Sequence, residues 1–498
     1  MGLYKKIKER GIKFTVENKL FVVIFILAAC ILFYYLSVTA NQALWFDEAD
    51  YMNYARFLAF GHPEWGFNPV RPPLFSLIAS VMMKIGFGEI VLRFLVVLFA
   101  LTNVFLTYIL AKDLFGKEVG AIAAFLQAVF WSHLFFAMRL LVDVPVLTFW
   151  LASAVCCVRG YIKKRSHWYR MAVFPLLFIG FLMKYTNALL AFVILSFLLI
   201  TEHLQFLKDK TFWQGIGITG LLSIPFFIWQ YKAFDHPFAF FIQSIIKKGG
   251  IESKGFFDSL FGHIAFLFPL AGIIILIGCI IGFVYFMDIF MGIDLLWKGK
   301  ETERRLKEKC FILLWFVFIL LFVGKLGYGL YIEERYYFNL YVAMFIVMGY
   351  GLMQIHTWIK NQRKELATIT LVIILFSAAF TNLNQADAII KGKAESFKQV
   401  KEAGAWLHTH LEEDEKFWSQ PVSAEMQYHA GRRNQGPGYN INAIVADKKL
   451  KYLVLAGFNP MTDEYKGLPL KYPGIFKPVQ VYTVDGKNPI VIIFEIMR

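Results

Sequence analysis

The sequence predicts a polytopic α-helical membrane protein with a small α/β domain at its C-terminal end, and three observations predict it. Of 498 residues, 58% are hydrophobic and only 17% charged, with a mean hydropathy of +0.55, outside the range of a soluble globular domain. Apolar runs such as Phe21 to Val38 and Ile90 to Ala111 repeatedly reach the roughly 17 to 25 residues that a helix needs to cross about 30 Å of hydrocarbon. These runs do not alternate, as spanning strands must. From residue 384 onward the composition turns charged and the pattern changes, which sets the expected division into a membrane part, 1–383, and an outer α/β domain, 384–498.

The net charge of +15 does not point to nucleic acid. The basic residues cluster in short loops between apolar runs, where they record topology. The five cysteines, Cys30, Cys156, Cys157, Cys279 and Cys310, lie in or beside apolar runs and read as packing residues rather than a disulfide framework. Lys5, Lys6, Lys8, Arg10 and Lys13 precede the first apolar run, which is longer than a signal-peptide core and is followed by many others, so it reads as an uncleaved first span.

Basic loops taken as cytoplasmic place the N-terminus inside and send the loop Phe46-Asp47-Glu48-Ala49-Asp50-Tyr51 outside. The stretch Pro72 to Ile85 is too short to cross comfortably, roughly 21 Å as a helix. It reads as a helix in or dipping into the outer interface. With it left out of the count, Lys112 and Lys117, Lys163-Lys164-Arg165, Leu204 to Lys210, Lys298 to Lys309 and Lys360 to Lys364 all fall inside. About eleven spans result, and the odd number carries the tail outside. No span displays a clear Gly/Pro break at its middle. In the tail, Phe397, Val400, Ala403, Trp406 and Leu407 have helical spacing, and Tyr452 to Leu455 and Ile490 to Phe494 are the clearest strands.

Candidate chemistry gathers on the outer side. Asp47, Asp50, Tyr51 and Tyr54 are spaced to share one face of a helix. Partial desolvation beside Trp45 and Phe46 raises a carboxylate toward general-base strength; the same residues also suit an ordinary solvated loop with interface aromatics. Arg71, Arg139, Asp143, Lys184 and Glu333-Glu334-Arg335 fall at expected outer helix ends. A charge at hydrocarbon depth costs about 2.5 to 3.5 kcal/mol, so it needs a partner or a function, unless its side chain snorkels to the interface. Together these carboxylates and cations suit an anionic substrate attacked by a neutral hydroxyl. The chain contains no D-x-D, the acidic cluster that commonly holds a metal on a nucleotide sugar, whereas a lipid monophosphate leaving group needs only Arg and Lys. P-loop, H-E-x-x-H and G-x-S-x-G motifs are also missing from the sequence.

The order Trp45-Phe46-Asp47-Glu48-Ala49-Asp50-Tyr51, Arg71-Pro72-Pro73-Leu74, Gly88-Glu89 with Arg93, Leu114-Phe115-Gly116, Asp143 with Pro145, Lys184, and Glu334-Arg335-Tyr336 resembles the GT-C membrane glycosyltransferases. Within them it is similar to the superfamily of protein O-mannosyltransferases and the lipid A aminoarabinose transferase. The resemblance covers most of the chain, including Trp406-Leu407 and Tyr428 to Arg432 of the tail. It implies a catalytic or acceptor-orienting carboxylate at Asp47, with Glu48 beside it and Asp143 as a second acid. It also implies that Arg71 and Lys184 face the lipid-phosphate sugar, that Arg335 is a phosphate ligand, and that Glu334 and Tyr51 line the substrate. Where the aminoarabinose transferase has a Glu before its basic-Pro residue this chain has Val70, so no metal and no cofactor are expected.

The implied function is an inverting transfer of sugar from polyprenyl or dolichyl phosphate to an acceptor hydroxyl of a protein, glycan or lipid, outside a plasma membrane. A lipid-linked sugar flippase or transporter, and a non-catalytic envelope subunit, are the readings from other classes.

Overall fold

The computed structural model describes residues 13–61, 71–239, 242, 255–291, 301–325, 333–436, 438–458 and 461–498. Lys5, Lys6, Lys8, Arg10, Val70 and the start of the Lys298 to Lys309 cluster lie outside the described residues. The chain is a multi-pass membrane protein. Among the described residues, seven helices are long and apolar enough to cross a bilayer: Lys19–Val38, Glu89–Phe115, Asp143–Ile162, Tyr185–Glu202, Lys210–Phe234, Glu334–Lys360 and the run that begins at Lys364. Two further pairs qualify as bent spans, Lys117–Val129 with Trp131–Ala137 and Phe256–Ala271 with Ile273–Val284. His167–Met183 is a shorter apolar helix, and Glu301–Lys325 is a further long helix.

The second bent pair corrects an expectation. Its two helices meet at 117°, against the straight spans read from the sequence. Pro269 lies in the last turn before the break and Gly272 sits at φ +79°. Proline supplies no N–H to the ladder, and glycine alone takes that backbone angle without strain. A hydropathy average over the run conceals both residues.

Contacts divide the chain into two compact units: Met1–Leu36 with Phe94–Met138 and Val142–Ile389, and Ser37–Arg93 with Arg139–Leu141 and Ile390–Arg498. The C-terminal part of the second unit starts at 390, and the unit also takes in Ser37–Arg93.

In the first unit, close helix crossings rest on small residues, as expected where lipid removes the hydrophobic drive between helices. A Cβ on Gly351 would lie 2.7 Å from the Cα of Gly282, and one on Gly282 would run into the carbonyl oxygen of Val347. Outward-facing Leu366, Ile369, Val372, Ile373, Phe376 and Phe380 form an exposed apolar stripe at helical spacing, a surface suited to acyl chains. All five cysteines are unpaired thiols.

The C-terminal part of the second unit is built on one sheet of five strands: β1 (Lys416–Gln420), β2 (Arg433–Asn434), β3 (Leu450–Ala456), β4 (Phe476–Thr483) and β5 (Pro489–Ile496), in the order β2-β1-β3-β5-β4. β1 runs parallel to β2 and β3, and β5 runs antiparallel to β3 and β4. Alternation fills both faces. Val454, Val491 and Ile493 pack with Val400, Ala403 and Leu407 of the helix Lys398–His410, while Leu453, Phe494 and Ile496 pack with Ile444, Tyr465 and Leu468. The amphipathic helix and the two clearest strands therefore stand where the sequence predicts them.

Gly282→Val is expected to destabilise the protein by about 1 to 3 kcal/mol through overpacking, read as a lowered thermal midpoint in detergent. Gly217→Ala, inside the helix Lys210–Phe234 with its new methyl in open space, is the matched control and should not lower the midpoint.

Candidate functional site

Asp47, Glu48 and Asp50 lie on the helix Phe46–Phe60. Its first turn carries Asp47 and Glu48, which favour an N-terminus by charge, and it ends at Gly61 with φ +65°, an αL cap suited to glycine. Asp47 and Asp50 are three residues apart and so share a face, and Arg71 spans both. Its Nη2 donates to Asp47 Oδ1 at 2.6 Å and its Nε to Asp50 Oδ2 at 2.7 Å, with the guanidinium 5.0 Å from the centre of the Tyr51 ring. Burial works against the charged form of Arg71, but Tyr51, Asp47 and Asp50 outweigh it and hold the guanidinium above its usual range. All three charged side chains keep about a fifth to a quarter of their surface open, so a substrate can reach them.

Arg71 is placed by the helix that follows, Leu74–Lys84, which packs on Phe46–Phe60. Ser76 Oγ donates to the Tyr51 carbonyl at 3.0 Å and Phe75 meets the Tyr51 ring edge-on. Pro72 and Pro73 end the preceding chain in a restricted conformation just before this helix.

Glu48 points elsewhere. It is fully buried and saturated: its Oε2 accepts the Trp45 N–H at 2.7 Å and the Arg139 guanidinium, and its Oε1 accepts the Leu140 N–H at 2.6 Å. Arg139 also lies over the Trp45 ring, 3.9 Å from its centre. Arg93, buried, pairs with Glu89 at 2.7 Å and donates to the Gln42 carbonyl at 3.0 Å. Glu48 and Arg93 thus hold the segments around the helix in place.

The C-terminal part of this unit meets the same helix. The helix Ser423–Ala430 packs against Phe46–Phe60. Asn53 donates to the Ala424 carbonyl at 2.9 Å, and Arg56 donates to the Tyr428 carbonyl while lying 4.2 Å from the centre of the Tyr428 ring. The Leu44 N–H donates to His429 Nε2 at 3.4 Å. Burial, with Lys401, Arg56 and Arg93 nearby, pushes His429 down to about 3, which keeps the ring neutral and able to accept.

Asp143, Lys184, Glu334 and Arg335 belong to the first unit. Asp143 opens the helix Asp143–Cys157, is buried, and accepts from Lys184 Nζ through Oδ1 at 2.6 Å; its Oδ2 has no protein partner among the described residues. Lys184 lies in an extended break between Met183 and the short 3-10 turn Tyr185–Ala188. Glu334 and Arg335 begin another such turn, Glu334–Tyr337, and Arg335 pairs with Glu333. Among the described residues no three His, Cys, Asp or Glu side chains gather as metal ligands.

The structure therefore brings together Asp47, Asp50, Tyr51 and Arg71 in one unit and Asp143 with Lys184 in the other. Sequence reasoning missed that Arg139 neutralises Glu48 and that the segment 424–429 reaches the helix Phe46–Phe60, because both contacts join positions far apart in the chain.

The profile of the family described as dolichyl-phosphate-mannose-protein mannosyltransferase matches residues 70–229. No curated protein matches the sequence. Among solved structures, ArnT from Cupriavidus metallidurans bound to undecaprenyl phosphate superposes with a TM-score of 0.67 at 14% identity, covering 96% of this chain and 98% of that one. The Archaeoglobus fulgidus oligosaccharyltransferase tethered with an acceptor peptide gives 0.63 at 14% identity, over 97% of this chain and 75% of that one. The same organism's oligosaccharyltransferase AglB in complex with an inhibitory peptide and a dolichol-phosphate gives 0.57 at 12% identity, over 94% and 74%. The fold predicted from the sequence, that of the GT-C membrane glycosyltransferases, is the fold observed.

Glu48→Gln leaves a buried guanidinium without its counter-charge and is expected to cost about 3 to 5 kcal/mol. Thermal or denaturant unfolding checks it. Glu48→Gln combined with Arg139→Met should recover part of that loss, and a single variant as stable as the wild type would contradict the assignment.

Proposed function

We propose that this chain is an inverting membrane glycosyltransferase that moves a sugar from a polyprenyl or dolichyl phosphate to an acceptor hydroxyl on the non-cytoplasmic side. The observation that carries the proposal is the Arg71 guanidinium held between Asp47 and Asp50 on an accessible helix face, in a chain with the GT-C fold. The basic loops support a cytoplasmic N-terminus and an outer C-terminal domain, in a plasma membrane.

In the proposed reaction Asp47 takes the proton of the acceptor O–H as the oxygen attacks the anomeric carbon from the face opposite the lipid phosphate. The C–O bond to phosphate breaks, its electron pair stays on the phosphate oxygen, and a glycoside of inverted configuration and a lipid monophosphate leave. Arg71 has two tasks. At rest it neutralises Asp47 and Asp50. With donor bound its guanidinium turns to the phosphate, which matches its fork geometry and stabilises the charge that develops there. Asp47, relieved of its cation, becomes the stronger base. Glu48, committed to three donors, positions the loop instead of moving protons.

The resemblance supports further substrate roles for Tyr51, Asp143, Lys184, Glu334 and Arg335. Each is testable singly: loss of Lys184 or Arg335 should weaken donor binding, and loss of Asp143 should lower the rate. No metal step is required, so turnover is expected to survive EDTA. The bend at Gly272 favours a second reading, since broken helices serve transporters; a flippase would move lipid-linked sugar between leaflets without releasing lipid phosphate.

The test is transfer of labelled sugar from a panel of polyprenyl-phosphate sugars to protein, glycan and lipid acceptors by the purified protein in lipid. Asp47→Asn should lower the rate by about 10²- to 10⁴-fold while donor binding holds within about threefold. An active Asp47→Asn variant would overturn the base assignment. No turnover by the wild type, with lipid crossing between leaflets, would favour the flippase.

A further inference from the structure

Glu425 is an acid of the helix packed on Phe46–Phe60 that the reaction above leaves unused. It lies in the first turn of Ser423–Ala430, on the side of that helix whose carbonyls, at Ala424 and Tyr428, receive Asn53 and Arg56. Its side chain is almost wholly buried, at 1% exposure. One carboxyl oxygen takes its own backbone N–H, and Oε2 has no partner among the described residues. A buried carboxylate without a donor is costly to keep charged.

The charges around Glu425 are unequal. Asp47, Glu48 and Asp50 all act on it. The cations of the elements packed on Ser423–Ala430 are engaged elsewhere: Arg56 with the Tyr428 carbonyl, Lys401 with the Asn41 carbonyl, Lys398 with Glu395 and Lys416 with Asp447, while Arg433 is exposed; Arg71 and Arg139, paired with Asp47, Asp50 and Glu48, offset part of the charge of those acids. His408 meets the Ala430 carbonyl and Glu402 is exposed. Burial first, then the three acids, push Glu425 up to about 7, so it changes charge in the range where an enzyme works.

We propose that Glu425 is a positioning residue through which the C-terminal domain sets the strength of Asp47 as a base, its carboxylate adding a negative charge beside Asp47 that its protonated form withdraws. The inference rests on the transferase reading above. A negative neighbour raises the proton affinity of a carboxylate, so the ionised form of Glu425 is the faster enzyme. The sign follows: rate rises with pH as Glu425 loses its proton.

Two measurements on the purified full chain in lipid decide it. In the transfer assay, wild-type kcat should rise about tenfold from about pH 6 to about pH 8. Glu425→Gln should stay near the low level across that window with donor KM unchanged, and Glu425→Asp should keep a pH-dependent limb. A Glu425→Gln profile like the wild type overturns the inference. Independently of turnover, infrared titration should reveal a protonated carboxyl lost near about pH 7, absent in Glu425→Gln. Coupling is reciprocal, so that loss must move to lower pH in Asp47→Asn; an unmoved titration overturns the inference. A wild type that transfers nothing defeats the transferase reading instead, while the infrared result still decides whether Asp47 and Glu425 are coupled.

Discussion

Arg71 bridges two carboxylates that a single helical turn places side by side. Two acids against one cation would be unfavourable unless geometry and partial solvent access both helped, and here both do. The helix Leu74–Lys84 fixes where Arg71 emerges, Tyr51 supplies a ring beneath it, and the remaining exposure lets water share the charge. A neighbouring acid, Glu48, is removed from this balance by Arg139 and two backbone N–H groups. Adjacent carboxylates in the sequence thus have opposite fates, one accessible and exchangeable, the other buried and committed. Environment, more than residue type, separates a base from an anchor.

That balance reaches beyond the first loop. His429, kept neutral by burial, accepts the Leu44 N–H, and Arg56 closes on Tyr428, so the C-terminal part of the unit is fastened to the helix that carries Asp47. The domain fastened there also brings a buried carboxyl, that of Glu425, to the helix face packed on Phe46–Phe60.

Local chemistry was legible in the sequence, and long-range pairing was not. The spacing of Asp47, Asp50, Tyr51 and Tyr54 identified one helical face because helical periodicity is local. The runs at Tyr452 to Leu455 and Ile490 to Phe494 read as strands because they are apolar and rich in β-branched residues, whereas β1 and the two-residue β2 have too little pattern to register. Arg71 read as a residue facing the lipid-phosphate sugar, since nothing in the sequence says that it folds back 21 and 24 residues to two acids. Glu48 read as an acid standing beside the catalytic one because its partner Arg139 is 91 residues away. Glu425 carried no signal, since its burial is a tertiary fact. The break at Pro269 and Gly272 was written in the sequence but hidden in an apolar average.

The most direct test is a structure of the protein in lipid with a polyprenyl-phosphate sugar bound. The account predicts the phosphate within hydrogen-bonding distance of the Arg71 guanidinium, with Arg71 no longer paired to Asp47 and the Asp47 carboxylate facing the anomeric carbon. Arg71 still joined to both Asp47 and Asp50, with the phosphate bound away from it, would contradict the account.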